Sequence, residues 1–350
     1  MITFNEHGIY CPQADVYIDP WKRVETALIT HAHADHSRWG MKKYIAHRDS
    51  VPVMKLRLGG DIRVKGVQYG EEFFINGVKI SFHPAGHIIG SAQIRLEYKG
   101  EVWVVSGDYK TEDDGLSPAF EPVRCHTFIT ESTFGLPVYQ WKPQAEIFAE
   151  INQWWRENAE AGKVSMLAGY SLGKAQRIMH GLDQSIGTIY THGAVENTNK
   201  VLRDHGIDLA PTVHAKTIKD FKKQRDHIAR SLVIAPPGAI GTSWSKRFQP
   251  YSTAVASGWM SIRGARRRRG SDRGFVLSDH ADWKGLNEAI KATGAERVYV
   301  THGYSDIFST YLREQGYDAR VVETQFEGEL GEIGESNTQE LQAAGQGGGS

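Results

Sequence analysis

The stretch THAHADHS constrains the fold most tightly, because it places three histidines and one aspartate within six positions directly after an apolar run. The apolar run predicts a strand buried on both faces. Side chains two positions apart in an extended segment project the same way. His31 and His33 should therefore face one point, while Asp35 and His36, on the turn that follows, can face a second point nearby. Imidazole and carboxylate suit Zn²⁺ or Mn²⁺, so the stretch predicts a metal-binding turn.

Two other interpretations of this stretch are a histidine-rich surface loop and a single structural zinc site. Structural zinc sites rely largely on cysteine, and the only cysteines of the chain, Cys11 and Cys125, are distant in sequence. Metal binding for catalysis is therefore favoured. Two thiols also provide no disulfide framework, which indicates a reducing compartment.

Further candidate ligands follow other predicted strands. His87 follows FHPAG, Asp108 ends VWVVSGD, and His302 lies in VYVTHG. Loops that follow strands on one edge of a sheet are where sites of α/β proteins gather. A carboxylate such as that of Asp108 can bridge two cations about 3.5–4 Å apart, as in two-metal hydrolases. The residues together predict a two-metal centre.

Composition narrows the class of protein. The 350 residues are 40% hydrophobic and 23% charged, which is typical of a globular protein with a full core. The formal net charge is zero, so an anionic substrate requires a local basic patch. We see neither a signal peptide nor a run of about 18 apolar residues. The expectation is a soluble, cytoplasmic protein.

Four motifs in order, HAHADHS, PAGHIIGSAQ, SGD and THG, resemble the metallo-β-lactamase superfamily. The resemblance implies an α/β fold class, the αβ/βα sandwich, with two divalent ions (Zn²⁺ or Mn²⁺) at one edge. It also implies that Asp19 supports the site from behind. One ion would be held by His31, His33, His87 and Asp108, and the other by Asp35, His36, His302 and again Asp108.

Two further segments, ESTFG and SDHADW, resemble the motifs that flank the inserted domain of the β-CASP nucleases in this superfamily. The resemblance pairs Glu131 with His280 beside the scissile phosphate. A carboxylate next to an imidazole orients the ring and favours its protonated form, which can protonate a leaving oxygen. Asp35, Glu131 and His280 are the candidate catalytic residues. Alternatively, Glu131 is an ordinary charge at a strand end and His280 a polar residue at a helix start.

The domain organisation follows from this resemblance and from a change in texture. Strands joined by short loops give way, after Pro143, to alternating strands and helices that predict a small parallel sheet. We expect helices near residues 283–293 and 305–316. The predicted parts are a split metallo-β-lactamase domain at 1–140 plus 265–330, an inserted β-CASP α/β domain at 141–264, and a disordered tail at 331–350.

Candidate contacts to nucleic acid lie in the inserted segment and just after it. The segment AGYSLGKAQR is predicted as a strand-to-helix turn, where backbone N–H groups favour an anion, although it lacks the spacing of a phosphate-binding P-loop. A run of arginines follows, which either binds the phosphate backbone of a nucleic acid or is a solvated loop. Tyr170, Trp244 and Trp259 are either base-stacking platforms or core residues. The candidate phosphate contacts are Ser171, Lys174, Arg177, Arg266, Arg267, Arg268 and Arg269.

The segments GYSLGKAQR and RGARRRR resemble, more narrowly, the bacterial ligase-associated DNA exonucleases. That resemblance implies a metal-dependent exonuclease that trims single-stranded DNA from the 5′ end in repair, alongside an ATP-dependent DNA ligase and a helicase. His302 departs from the eukaryotic DNA-repair members and matches the RNA-processing members, so RNA stays open as a substrate. A small-molecule hydrolase such as a lactonase is a further possible enzyme, and a binding module with a degenerate site is the possible non-enzyme.

Overall fold

The computed structural model describes residues 1–262 and 270–326. The chain divides into two compact units. Among the described residues, the first unit contains Met1–Gln140 and 279–326, and the second contains 141–262 and 270–278. The predicted arginine run and the predicted tail lie outside the described residues.

The strands and helices below are numbered in chain order. The strands are β1 (Thr3–Asn5), β2 (Gly8–Cys11), β3 (Val16–Ile18), β4 (Thr26–Ile29), β5 (Lys43–His47), β6 (Val64–Val67), β7 (Phe73–Ile75), β8 (Val78–Pro84), β9 (Ala92–Tyr98), β10 (Glu101–Val105), β11 (Thr127–Ser132), β12 (Val164–Ala168), β13 (Ile189–Thr191), β14 (Val213–His214), β15 (Leu232–Ala235), β16 (Tyr251–Ala256), β17 (Arg273–Phe275), β18 (Arg297–Gly303) and β19 (Asp318–Val321). The helices are α1 (Val51–Leu58), α2 (Gln144–Glu160), α3 (Lys174–Gly181), α4 (Gly193–Asp204), α5 (Arg225–Ala229), α6 (Ser243–Lys246), α7 (Trp283–Thr293) and α8 (Ser305–Glu314).

The second unit ends later than the sequence boundary at residue 264. Strand β17 pairs in parallel with β16, through Ala254 and Arg273 among others. This pairing makes β17 the edge strand of the sheet in the second unit, so the segment as far as Ser278 packs there. The sequence motif SDHADW therefore straddles the point where the chain returns to the first unit.

The first unit contains two sheets. One has the order β1-β2-β3-β4-β5-β6 and the other the order β19-β18-β11-β10-β9-β8-β7. Apolar side chains from both sheets, such as Leu28 and Ile94, share one buried cluster. Helices α7 and α8 contribute Leu286 and Phe308 to a second cluster, with Phe128 from β11. This layered arrangement confirms the predicted α/β sandwich.

The turn between β9 and β10 follows directly from its sequence. Lys99 and Gly100 both have positive φ, at 51° and 82°. A two-residue hairpin turn of this kind matches the right-handed twist of the flanking strands. This hairpin sets the antiparallel pairing of β9 with β10, the strand that precedes Asp108.

The second unit contains a sheet with the order β14-β13-β15-β12-β16-β17, in which neighbouring strands pair in parallel. Its core includes Trp155 of α2, Ile178 of α3 and Ile234 of β15. The predicted parallel sheet and the predicted helix after Pro143 are thus confirmed. Within the described part of the chain, none of the helices has the length and apolarity needed to cross a membrane.

Parallel pairing in the first unit brings the site residues to one edge. Strands β10, β11 and β18 are parallel neighbours, so their carboxyl ends meet at the same side of the sheet. Asp108 follows β10, Glu131 lies in β11, and His302 lies near the end of β18. On the facing sheet, the parallel strands β3 and β4 end just before Asp19 and His31.

Candidate metal centre

The loop after β4 carries the histidine cluster into the interior. His31 is 0% exposed, and His33 and His36 are also buried. The loop turns tightly, because the N–H of Ser37 donates to the carbonyl of His33 at 2.8 Å. One ligand atom from each of four residues lies within 4.8 Å of the others, a grouping that could hold a metal ion. The four residues are His31, His33, His87 and Asp108.

His33 and His87 come from distant segments and meet closely. Nδ1 of His33 lies 3.1 Å from Nε2 of His87. Ligand atoms of a tetrahedral zinc ion are separated by about 3.4 Å, given Zn–N bonds of about 2.1 Å. The other ring nitrogen of His87, Nδ1, donates to the carbonyl of Asp279 at 2.8 Å. His87 therefore turns Nε2 toward the candidate ion.

Asp108 faces two groups of histidines with its two oxygens. Oδ2 lies 3.6 Å from Nε2 of His31 and 3.5 Å from Nε2 of His36. Oδ1 lies 3.2 Å from Nε2 of His302. One carboxylate therefore lies between the two predicted ligand sets, as a bridging ligand would.

Gly107 allows Asp108 to reach this position. Gly107 has a φ of +59°, and a Cβ at this position would lie 2.6 Å from the side chain of Thr30. The strand β10 can therefore end against the loop after β4 only with glycine here. This steric requirement explains the glycine in the sequence motif SGD.

The second ligand set surrounds His36. Oδ2 of Asp35 lies 3.7 Å from Nε2 of His36, the same nitrogen that faces Asp108. His302 approaches Asp108 from the opposite oxygen, and Oγ1 of Thr133 lies 3.2 Å from its Nε2. The structure thus brings all seven predicted ligands to one edge of the first unit.

A buried carboxylate behind the loop orients two of the histidines. Asp19 accepts hydrogen bonds from the backbone N–H of Thr30 at 2.8 Å, from the Thr30 hydroxyl, and from Nδ1 of His36 at 2.8 Å. Because the Thr30 hydroxyl donates to Asp19, its oxygen accepts from Nδ1 of His31 at 3.0 Å. This network assigns the proton to Nδ1 of both rings.

With the proton on Nδ1, the Nε2 atom of each of these two rings is an acceptor that receives no hydrogen bond. Nε2 of His31 and Nε2 of His36 are buried, and no described group hydrogen-bonds to either. An unsatisfied buried polar atom is costly unless a ligand compensates it. A divalent cation held by these nitrogens and Asp108 resolves the deficit, so the residues present fit the metal that the motifs imply.

The protonation states also fit metal ligands. Burial lowers the pKa of His31 and of His87 well below the usual value. Burial opposes ionisation of Asp108, but His36 and His302 outweigh it and hold the pKa of Asp108 well below its usual range. Neutral imidazoles and an ionised carboxylate are the forms that bind metal.

His36 experiences the strongest negative field. Burial alone would lower its pKa, but Asp35, Asp108 and Asp19 raise the pKa of His36 to about 10. Three carboxylates around one buried ring attract positive charge, so a proton and a metal ion would compete for Nε2 of His36. The same field favours a divalent cation at this point.

Glu131 and His280 form a buried pair next to this centre. Nδ1 of His280 lies 2.9 Å from both carboxylate oxygens of Glu131. Oε1 of Glu131 also accepts from the backbone N–H of Tyr109 at 2.8 Å, which orients the carboxylate. Ligand atoms of Asp108, Glu131 and His280 lie within 4.8 Å of one another. The sequence-predicted pair is therefore adjacent to the candidate metal ligands.

Comparison with known proteins gives three informative relatives, although no protein-family model matches the chain. A probable DNA ligase from Opitutus terrae is 30% identical, over 93% of this chain and 31% of that protein. The endoribonuclease ysh1 of Schizosaccharomyces pombe is 22% identical, over 79% of this chain and 43% of that protein. An RNase J-like protein of Methanocaldococcus jannaschii is 26% identical, over 51% of this chain and 50% of that protein.

The chain is similar to β-CASP proteins of the metallo-β-lactamase superfamily, which fits the resemblance of its motifs. It spans about a third to a half of the length of these three relatives. A crystal structure of a protein of unknown function from Enterococcus faecalis V583 superposes with a TM-score of 0.56 at 11% identity, over 86% of this chain and 80% of that one. That similarity supports the fold alone.

Two of the predicted phosphate contacts, Lys174 and Arg177, are buried in the second unit. Lys174 is 0% exposed, and its Nζ donates to the carbonyl of Leu277 at 2.8 Å. Arg177 is 3% exposed and donates to the carbonyl of Ser278 and to Gln144. Both cations are directed at groups inside the second unit, where they support its structure. Their contact with a phosphate stays a prediction.

The other predicted contacts are not decided by the structure. Ser171 is half-buried at the turn before α3. Arg266 to Arg269 lie outside the described residues. Tyr170 is buried, whereas Trp244 and Trp259 are partly buried and pack against apolar clusters. The core interpretation therefore holds for Tyr170.

Sequence reasoning missed two residues that contact the centre. Arg57 of α1 donates to the carbonyl of Ala32 and to the hydroxyl of Ser37. Phe326 stacks on the ring of His36, with a centroid distance of 4.2 Å and an interplanar angle of 13°. Neither residue belongs to a motif, and only the tertiary structure brings each to the loop.

The first prediction concerns Asp19. Asp19→Asn replaces an acceptor of three hydrogen bonds with a group whose amide is a donor, so the rings of His31 and His36 lose their fixed orientation. Affinity for Zn²⁺ should fall about 10–100-fold. Competition with a chromophoric chelator measures it, and Asp61→Asn, an exposed aspartate, is the matched control. Equal affinity of the two variants would show that Asp19 does not orient the ligands.

Proposed function

We propose that the chain is a two-metal phosphodiesterase that acts as an exonuclease on single-stranded DNA from the 5′ end, in DNA repair. The observation that carries the proposal is the position of Asp108 between two histidine groups, with Glu131 and His280 beside it. This arrangement combines ligands for two cations with a separate acid–base pair. A phosphodiester needs both, because a nucleophile must attack phosphorus and a poor leaving group must depart.

The ligands divide into two sets that share Asp108. When bound, divalent ions activate water and stabilise negative charge on the phosphate. Zn²⁺ and Mn²⁺ both suit imidazole and carboxylate ligands. One set is His31, His33, His87 and Asp108, and the other is Asp35, His36, His302 and Asp108.

His280 is proposed as the general acid. Its Nδ1 donates to Glu131, which leaves Nε2 to carry the second proton of the protonated ring. The carboxylate of Glu131 stabilises that protonated form and holds the ring in one orientation. In this proposal Nε2 donates its proton to the sugar oxygen that leaves phosphorus.

Two observations bear on the nucleic acid. The match to a protein named as a probable DNA ligase covers nearly the whole chain, and it supports a role in DNA repair alongside a ligase. Association with a helicase is implied by the family resemblance alone. The second candidate function is RNA processing, since another relative is named an endoribonuclease. In addition, His302 lies 3.2 Å from Asp108, and the resemblance gives the RNA-processing members a metal-binding histidine at this position. The cytoplasmic location stays a prediction.

The substrate is tested with single strands of DNA and RNA of equal sequence, labelled at either end and incubated with Zn²⁺ or Mn²⁺. We expect stepwise shortening of DNA from the 5′ end, so that the 5′ label is released first. RNA should be degraded at least about tenfold more slowly, the equivalent of about 1.4 kcal/mol in the barrier. Preferred cleavage of RNA, or internal cuts, would favour the second candidate.

The role of His280 is tested by the leaving group. His280→Ala should lose about 10²–10⁴-fold on DNA, whose sugar oxygen needs a proton to leave. The same variant should keep most of its activity on bis-p-nitrophenyl phosphate, because p-nitrophenolate leaves without protonation. His180→Ala, an exposed histidine of α3, is the control. An equal loss on both substrates, together with loss of bound metal, would make His280 a ligand or a support.

A further inference from the structure

Arg57 links α1 to the histidine loop in the first unit. It lies in the last turn of α1, and its side chain is half-buried. One guanidinium nitrogen of Arg57, Nη1, donates to the carbonyl of Ala32 at 2.8 Å and to the hydroxyl of Ser37 at 2.9 Å. The two acceptors lie 25 and 20 residues away in sequence. This contact is therefore made by the tertiary fold and not by the loop itself.

The two acceptors lie on either side of a metal ligand. Ala32 is the residue between His31 and His33. Ser37 contacts His33 from the other side, because its hydroxyl donates to the carbonyl of His33 at 3.0 Å. The guanidinium therefore joins the backbone before His33 to the turn after it.

We propose that Arg57 is a positioning residue for the metal centre, which sets the loop so that His31 and His33 converge before the ion arrives. The inference rests on the metal centre of the proposed function, but not on its substrate. Its physical basis is preorganisation, since a ligand set held in the binding geometry loses less conformational entropy when it binds. A planar guanidinium suits this role because its donors are held in a fixed geometry.

Charge and preorganisation predict opposite effects, which makes the proposal decidable. A guanidinium near the centre repels a divalent cation, so removal of the charge alone would strengthen metal binding. Removal of the two hydrogen bonds would weaken binding, because the loop could then adopt other conformations. If replacement of Arg57 lowers the affinity for Zn²⁺, the cause is therefore the lost orientation of the loop and not the lost charge.

The experiment titrates the whole metal-free chain with Zn²⁺ in competition with a chromophoric chelator, without nucleic acid. Arg57→Met keeps an unbranched, flexible side chain, although a shorter one, and removes the charge and the hydrogen-bond donors. We expect a loss of about 10–100-fold in affinity, as for other groups that orient metal ligands. Lys55→Met is the matched control, since Lys55 is an exposed cation of the same helix, and its affinity should match the unmodified chain.

Arg57→Lys separates geometry from charge and remains informative if Arg57→Met does not fold. It keeps the positive charge but lacks the planar fork, so its affinity should fall between that of Arg57→Met and that of the unmodified chain. Thermal unfolding of each metal-free variant checks the fold. Unchanged or tighter binding by Arg57→Met, or unchanged binding by Arg57→Lys where Arg57→Met is unfolded, would overturn the proposal.

The outcomes also separate this inference from the proposed function. If the unmodified chain binds no Zn²⁺ or Mn²⁺, the metal centre itself fails. If it binds metal and Arg57→Met binds equally well, only the role of Arg57 fails. If metal binding depends on Arg57 but no nucleic acid is cleaved, the positioning role stands and the nuclease proposal falls.

Discussion

The carboxylate of Asp108 is the group on which the site depends. It is 2% exposed, and a charge removed from water must be compensated by partners of opposite charge or by a metal. Its oxygens face Nε2 of three histidines, His31, His36 and His302. Two of these nitrogens have no described hydrogen-bond partner. Cations held by this carboxylate and the rings would complete this arrangement.

Sheet topology explains how one carboxylate meets so many partners. Asp108 follows β10, and His302 lies in β18. These two strands flank β11, and parallel pairing places the carboxyl ends of all three strands at the same edge of the sheet. The second sheet supplies the histidine loop at the end of β4, and the hydroxyl of Thr30 connects that loop to Asp19. Because the two sheets share a core, the distance between the Asp108 segment and the loop is set by packing, including the close approach of Gly107 to Thr30.

The sequence places the candidate ligands near one another, because each lies at or just past the end of a strand with its own periodicity. That they bind metal stays a prediction. The pairing of Glu131 with His280 came from a family resemblance, since 149 positions separate the two residues. Lys174 shows the limit of such reasoning. A lysine after a glycine turn has the same local pattern whether it binds phosphate or a buried carbonyl, and the partner, Leu277, is 103 residues away. Arg57 and Phe326 gave no local signal for the same reason.

Whether the carboxylate of Asp108 holds two metal ions together is decided by X-ray absorption spectroscopy of the metal-loaded chain. We predict two ions per chain by elemental analysis and a metal–metal distance of about 3.5–4 Å, the separation of bridged two-metal centres. The ligand shell should be nitrogen and oxygen without sulfur, since both cysteines are buried elsewhere in the first unit. A single ion per chain, or two ions without a metal–metal vector near this distance, would rule out the bridging role of Asp108.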